Sequence, residues 1–184
     1  MTTPIRVIIA DDHAVLRAGL KLLVNSQADM DVVSEAADGL EAVACARALC
    51  PDILLLDLAL PGMRGLDVLR AVTRDCPRVR VLVLTMHEEE HYLRQALEAG
   101  AAGYVPKSAA DAELLSAIRA VARGNVYIHP SHTKILLESL LPRPGVAQAQ
   151  LSERERAVVR LVALGHTNRQ IAEELTIAES TAER

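Results

Sequence analysis

This sequence predicts an α/β fold with a doubly wound parallel sheet, followed by a small all-α segment. Short apolar runs alternate with amphipathic stretches over the first two thirds of the chain. Most of the runs are continuous stretches of Val, Ile and Leu, which is typical of strands covered on both faces. Five such β/α repeats indicate a five-stranded parallel sheet with right-handed crossovers and helices on both faces.

The strands and helices follow one another along residues 1–125. The predicted strands are Ile5–Ala10, 31–36, 53–57, Arg80–Thr85 and Gly103–Pro106. The predicted helices are 13–26, 40–49, 66–73, 89–99 and 111–123. In the first helix the spacing puts a set of apolar residues on a single face: Val15, Leu16, Leu20, Leu23 and Val24. That face is expected to pack on the sheet, so residues 1–125 are predicted to form one domain.

After Gly124 this alternation stops. An apolar helical pattern, KILLESLL (134–141), is followed by PRPGVAQAQ (142–150). The second stretch has the Pro, Gly, Gln and Ala composition of a linker. Residues 126–150 are therefore predicted to be a linker that contains a short helix.

A new helical pattern begins at Leu151. Ser152 is the predicted N-cap, and Glu155 stands three residues later, as in a capping box. This helix is expected to end at Gly165, and a second helix begins near Asn168. Residues 151–184 are thus predicted to belong to a separate, small helical domain.

Composition argues against several classes of protein. No apolar run approaches the roughly 20 residues of a membrane helix, and the N-terminus, MTTPIRV, lacks the pattern of a secretion signal. We therefore expect a cytoplasmic protein with no membrane partner. The formal net charge is −4, and residues 151–184 carry five basic and six acidic side chains. No segment has the positive charge that announces a phosphate-binding face.

Acidic side chains stand where two of the predicted strands end. Asp11 and Asp12 follow the first strand, and Asp57 closes the third. Ligand sites of open α/β sheets lie at the carboxyl ends of the strands, so these carboxylates should meet and repel one another. Mg²⁺ removes such repulsion and binds carboxylates together with phosphate oxygens. The sequence therefore predicts a magnesium site in which one carboxylate could receive a phosphoryl group.

Two further strand ends carry groups that bind phosphate. Thr85 closes the fourth strand and can donate a hydrogen bond, and Lys107 follows the fifth and supplies a positive charge. Taken singly, these are ordinary features: a turn threonine, a solvated lysine, or an aspartate that caps a helix. All of these strand ends lie on the same side of the sheet, which favours a functional site.

Four motifs closely resemble those of the receiver domain of two-component response regulators. They are ADDH (10–13), LLLDLALPGMRG (54–65), VLTM (83–86) and AAGYVPKS (101–108). The resemblance covers residues 4–125 and implies a flavodoxin-like fold. Residues 151–184 resemble the opening of a LuxR-type helix-turn-helix domain, so the whole chain is similar to response regulators of the NarL/LuxR class.

The resemblance implies how the acidic residues act. Asp57 would be the phosphoacceptor, with a partner histidine kinase or a small phosphodonor as the source. Asp12, the Asp57 carboxylate and the backbone carbonyl of Ala59 would bind Mg²⁺ directly. Asp11 would act through a bound water molecule. The sites implied for metal and for phosphate therefore share the Asp57 carboxylate.

The resemblance also implies a switch. Lys107 would pair with the phosphoryl group, Thr85 would turn inward to bond it, and Tyr104 would follow as an aromatic switch residue. The surface around 88–99 and 111–123 would then change. A second copy of the chain, or the effector domain, would bind there, so a homodimer on phosphorylation is expected as one possibility.

For the second domain, the resemblance implies that residues 179–184 are the first part of a recognition helix, after a turn at 176–178. The candidate DNA contacts are Glu179, Ser180, Thr181 and Arg184. The chain contains only the first turn or two of this helix and not the helix behind it. We therefore expect DNA binding only for a longer form of the chain.

The leading prediction is a phosphorylation-controlled transcription regulator that is not an enzyme. One alternative keeps the receiver but makes it a protein-interaction regulator without DNA binding. Another is a phosphohydrolase that turns over through an aspartyl phosphate, although Ala59 stands where that chemistry usually needs a second carboxylate. A nucleotide-binding module is disfavoured because no strand is followed by a glycine-rich phosphate loop.

Overall fold

A computed structural model describes residues 3–86, 89–109 and 111–133 of the chain. The chain divides into two units, Met1–Leu137 and Glu138–Arg184, and every described residue lies in the first. The helix predicted within the linker and the helices predicted for 151–184 lie outside the described residues.

The first unit is a parallel sheet with helices on both faces. Its described strands are β1 Ile5–Ala10, β2 Met30–Ala36, β3 Ile53–Leu56, β4 Arg80–Thr85, β5 Gly103–Pro106 and β6 Tyr127–Ile128. Its described helices are α1 Ala14–Asn25, α2 Gly39–Leu49, α3 Gly65–Asp75, α4 Glu90–Glu98 and α5 Asp111–Ala122. The strand order is β2-β1-β3-β4-β5-β6, with every neighbouring pair parallel. This order confirms the predicted doubly wound α/β fold. None of these helices combines the length and apolar character of a membrane span.

The sheet separates two apolar clusters. On one face, residues such as Leu54, Leu56 and Val83 pack with α2, α3 and α4. On the other face, alternate strand residues such as Leu55 and Leu82 pack with α1 and α5. Because successive strand residues point to opposite faces, both sets must be apolar, which explains the continuous Val/Ile/Leu runs.

A sixth strand was not predicted. The sequence indicated five strands, but Tyr127–Ile128 forms β6 and pairs with Gly103 and Tyr104 of β5. Two residues are too few to show a strand periodicity, so the sequence pattern could not reveal this strand. Thus β6, which lies within the predicted linker 126–150, belongs to the sheet.

The predicted core face of α1 is wrong at one position. Leu20 and Val24 are buried, but Val15 is 88% exposed. Val15 lies in the first turn of α1, beside the carboxyl end of β1. Helical periodicity gives the direction in which a side chain points, but not whether the sheet extends far enough to cover it.

Close packing at Gly65 sets the position of the loop after β3. A Cβ at position 65 would lie 2.4 Å from Leu58 Cα and 2.7 Å from the backbone oxygen of Asp57. Since both contacts are with backbone, the clash cannot be relieved by a side-chain rotation. Gly65→Ala is therefore expected to lower the free energy of unfolding by about 1–3 kcal/mol, measured by urea denaturation.

Gly19 provides the matched control for this substitution. A Cβ at position 19, within α1, would meet no atom within 4 Å. Gly19→Ala is expected to raise the free energy of unfolding by about 0.5–1 kcal/mol, because alanine favours a helix interior over glycine. If Gly65→Ala proved as stable as Gly19→Ala, the loop after β3 would not depend on the close contact.

Candidate functional site

Backbone hydrogen bonds gather the carboxyl ends of the strands into one place. The N–H of Asp11 donates to the last carbonyl of β2 at 3.1 Å, and the N–H of Asp57 donates to the last carbonyl of β1 at 2.9 Å. The N–H of Lys107 donates to the last carbonyl of β4 at 2.8 Å. The backbone hydrogen bonds of the sheet therefore continue one residue past β1, β3 and β5. They fix the backbone positions of Asp11, Asp57 and Lys107.

A single ammonium group bridges two buried carboxylates. Lys107 Nζ lies 2.6 Å from Asp57 Oδ2 and 2.7 Å from Asp11 Oδ2, and all three side chains are only 2% exposed. Burial by itself would lower the pKa of Lys107, but the bonds to Asp11 and Asp57 outweigh burial and raise that pKa. Lys107 is therefore protonated at neutral pH and offsets one of the two negative charges.

The remaining negative charge belongs to a cluster that could hold a cation. One ligand atom from each of Asp11, Asp12, His13 and Asp57 lies within 4.8 Å of all the others. His13 Nδ1 is 2.7 Å from Asp12 Oδ1 and 3.1 Å from Asp11 Oδ1. The carboxylate oxygens of Asp11, Asp12 and Asp57 are ligands that suit Mg²⁺, so these three residues fit the predicted ion, whereas the His13 nitrogen is not a ligand of that type. The sequence analysis did not predict that the His13 ring lies beside the carboxylates, although its place directly after the two aspartates was the available signal.

The Asp57 carboxylate is held at both oxygens. The backbone N–H of Ala59 donates to Asp57 Oδ1 at 3.1 Å, while Lys107 Nζ contacts Oδ2. Asp57 is 2% exposed, and Ala59 is exposed. These two contacts fix the plane of the carboxylate. The role predicted for the Ala59 carbonyl, as a metal ligand, stays a prediction.

Thr85 and Tyr104 form a buried pair on neighbouring strands. Both residues are 0% exposed. Burial raises the pKa of Tyr104, and the nearby Thr85 side chain opposes only part of that rise. Tyr104 is thus a neutral phenol that lies inward beside Thr85. The structure brings the two predicted switch residues together, while their function as a switch stays a prediction.

An open cleft leads to Lys107 from the surface. It has a volume of about 430 Å³ and is lined by His13, Val15, Leu16, Met86 and Lys107. The side chains of Val15 and Met86 are 88% and 74% exposed. The cleft is therefore largely apolar at its rim and lies beside Lys107.

The predicted DNA contacts, Glu179, Ser180, Thr181 and Arg184, lie outside the described residues. The geometry of the first unit neither supports nor opposes them, so they stay predictions.

Two family models match the chain. The family described as "Response regulator receiver domain" matches residues 7–119, which is more than half of the chain. The family described as "Bacterial regulatory proteins, luxR family" matches residues 149–183. The acidic cluster, Thr85 and Lys107 all fall within the first match.

Individual proteins match over similar spans. The oxygen regulatory protein NreC of Staphylococcus carnosus (strain TM300) is 39% identical over 97% of this chain and 86% of its own length. The crystal structure of a LuxR-family two-component response regulator from Aurantimonas sp. SI85-9A1 is 36% identical, with a TM-score of 0.73, and covers 77% of this chain and 100% of its own. A structure of two RcsB dimers bound to two parallel DNAs is 27% identical, with a TM-score of 0.69, and covers 98% of this chain and 87% of its own.

Proposed function

The chain belongs to the response regulators of the NarL/LuxR class, with a receiver domain and a LuxR-type helix-turn-helix domain, and we propose on that basis that Asp57 is its phosphoacceptor. The observation that carries the proposal is the position of Asp57. Its carboxylate is buried at a strand end, bridged to Asp11 by Lys107, and part of a cluster that could hold a cation. Few arrangements other than phosphoryl transfer need a nucleophilic carboxylate, a fixed ammonium and a metal site together.

We propose that the acidic cluster binds Mg²⁺. Asp12, the Asp57 carboxylate and the backbone carbonyl of Ala59 would bind it directly, and Asp11 would do so through a water molecule. When bound, the ion neutralises charge on the phosphoryl oxygens during in-line transfer. The proposal is supported by the carboxylates of Asp11, Asp12 and Asp57, whose candidate ligand atoms all lie within 4.8 Å of one another.

In the transfer itself, a carboxylate oxygen of Asp57 attacks phosphorus. The new O–P bond forms as the bond between phosphorus and the leaving group breaks, and the leaving group takes the bonding electron pair. Lys107 then pairs with a phosphoryl oxygen, because its Nζ already contacts Oδ2 of Asp57 at 2.6 Å. The phosphorylated side chain carries a charge of about −1.5 to −2 at neutral pH in place of the single charge of the carboxylate, which changes the preferred arrangement around it.

Thr85 is the residue that would respond to the phosphorylation of Asp57. Its side chain is buried on the strand next to Tyr104, and its backbone carbonyl accepts from the N–H of Lys107. A bond from the Thr85 hydroxyl to the phosphoryl group would favour one arrangement of the loops after β4 and β5. To move a two-state equilibrium from about 1:99 to 99:1 takes roughly 5.5 kcal/mol of differential interaction. A few charge-assisted bonds in a shielded site could supply much of it.

The partners we propose are a histidine kinase as donor, a second copy of the chain after phosphorylation, and DNA for the LuxR-type domain. The cleft beside Lys107, with Val15 and Met86 at its rim, supports the approach of a donor. The similarity to a structure of RcsB dimers bound to DNA supports the other two partners. We also propose that Asp57 keeps the phosphoryl group as a signal and does not turn over a substrate, since Ala59 offers no acid or base.

Intact-mass spectrometry after incubation with acetyl phosphate and Mg²⁺ tests the proposal. We expect the mass of the chain to rise by one phosphoryl group, located on the peptide that contains Asp57. The gain should disappear when a chelator removes Mg²⁺. No gain with Mg²⁺ present, or a gain located on another peptide, would exclude Asp57 as acceptor. Continuous release of inorganic phosphate over many turnovers would instead support a phosphohydrolase.

A further inference from the structure

We propose that His132 is a positioning residue for the phosphoryl site: its ring holds Tyr104 in the buried orientation beside Thr85. The segment 127–133 is thereby coupled to the chemistry at Asp57. This inference rests on the function proposed for Asp57, and it adds a residue that none of the four receiver motifs contains.

The first observation is a buried aromatic contact. The rings of Tyr104 and His132 have centroids 4.9 Å apart and planes inclined by 72°, so the contact is edge-to-face. Tyr104 is 0% and His132 is 1% exposed. The chain contains no Phe and no Trp, so His and Tyr supply all of its rings for contacts of this kind.

The second observation is that the backbone fixes His132 over Tyr104. In the β5–β6 pairing, Tyr104 stands opposite Ile128, and the N–H of His129 donates to the Tyr104 carbonyl at 3.0 Å. The N–H of His132 then donates to the His129 carbonyl at 2.9 Å, which closes a turn above the strand. Ser131 Oγ lies 3.2 Å from His132 Nδ1 and orients the ring. The contact between the rings is therefore built by β6 and does not depend on side-chain packing alone.

The third observation is the short series of contacts that connects His132 with Asp57. Tyr104 lies on β5 beside the end of β4, where the Thr85 carbonyl accepts from the N–H of Lys107 at 2.8 Å. Lys107 Nζ contacts Asp57 at 2.6 Å. Withdrawal of the His132 ring would open space beside Tyr104, so Tyr104 could rotate away from Thr85. Coupling between two sites is reciprocal, so phosphorylation should also hold 127–133 more firmly on the sheet.

Fluorine NMR can follow Tyr104 directly. The chain contains three tyrosines, so a fluorotyrosine-labelled chain gives three resonances, and Tyr104→Phe assigns the one that matters. We expect His132→Ala to move the Tyr104 resonance towards the chemical shift of a solvent-exposed tyrosine. The fraction of molecules with an exposed Tyr104 ring should rise roughly two- to tenfold. His132→Phe, which keeps an aromatic ring at this position, should restore the buried resonance.

Val105→Ala is the matched control. Val105 follows Tyr104 on β5, is equally buried and packs in the cluster on the opposite face of the sheet. It should lower stability without moving the Tyr104 resonance. The inference is overturned if His132→Ala leaves that resonance in place, if Val105→Ala moves it equally, or if His132→Phe fails to restore it.

A second measurement separates this inference from the function on which it rests. In the phosphorylated wild-type chain, amide hydrogen exchange at 127–129 should be slower than in the unphosphorylated chain, and His132→Ala should remove that difference. If the wild-type chain takes up no phosphate, the assignment of Asp57 fails, while the fluorine experiment on the unphosphorylated chain still decides whether His132 positions Tyr104. If phosphate is taken up but exchange at 127–129 is the same in both states, the coupling to Asp57 is absent.

Discussion

Asp57→Asn is expected to abolish phosphate uptake from acetyl phosphate. The amide keeps the size and shape of the carboxylate, but its oxygen carries no negative charge and cannot form a stable acyl phosphate. Lys107 remains paired with Asp11 at 2.7 Å, so the variant should stay folded. Intact-mass spectrometry should then show no added phosphoryl group under conditions that modify the wild-type chain completely. This is the largest functional effect that we expect from any single substitution.

Asp67→Asn is the control for this experiment. Asp67 is an exposed carboxylate on α3 that pairs with Arg64 and Arg70, away from the acidic cluster. Its loss should leave phosphate uptake unchanged. Uptake that survives in Asp57→Asn, or that falls equally in Asp67→Asn, would contradict the assignment. Because both variants lose one carboxylate, a general effect of net charge would be detected.

Lys107→Met is expected to have the largest effect on stability. The substitution leaves Asp11 and Asp57 buried, close together and without the ammonium that joins them. Breaking a buried pair by removing one partner costs about 3–5 kcal/mol, and we expect a loss in this range here. That is a large share of the roughly 5–15 kcal/mol that keeps a domain folded. Urea denaturation without divalent ions measures it.

Added Mg²⁺ should reverse much of this loss. In Lys107→Met no ammonium competes for the carboxylates, so the ion should stabilise the variant more than the wild-type chain, by mass action on the folded state. Lys21→Met is the control, since Lys21 pairs with Glu35 at the surface and its side chain is 46% exposed. That variant should lose less than about 1 kcal/mol and show no greater response to Mg²⁺ than the wild-type chain. Equal losses in the two variants would mean that the buried bridge contributes little.

The three carboxylates of the acidic cluster could be predicted because few arrangements satisfy a parallel sheet. Continuous apolar runs imply strands covered on both faces, and such strands must run parallel with their carboxyl ends at one edge. Polar residues that end those runs are then neighbours in space, however far apart they lie in the chain. Asp57 and Lys107 are 50 residues apart, yet their side chains lie within 2.6 Å.

Contacts that do not follow from the arrangement of the parallel strands could not be predicted from the sequence. His132 meets Tyr104 only because a two-residue strand, β6, adds to the sheet edge, and so short a strand leaves no periodic signal in the sequence. Val15 fits the apolar face of α1 but lies beyond the cover of the sheet. In both cases the contact depends on where a helix or strand ends and on how it packs against its neighbour. The local sequence pattern does not predict either of these.

The division of the core by the sheet has a consequence for how the protein can change. Tyr104 packs in the cluster with α2, α3 and α4, whereas Leu115 and Ile118 of α5 pack with α1 on the other side. Substitutions without shared neighbours usually act additively on the free energy of unfolding. Sequence variation on the α1 and α5 side can therefore change the stability of the domain while leaving the contact between Tyr104 and His132 intact. The two properties can drift independently within a single fold.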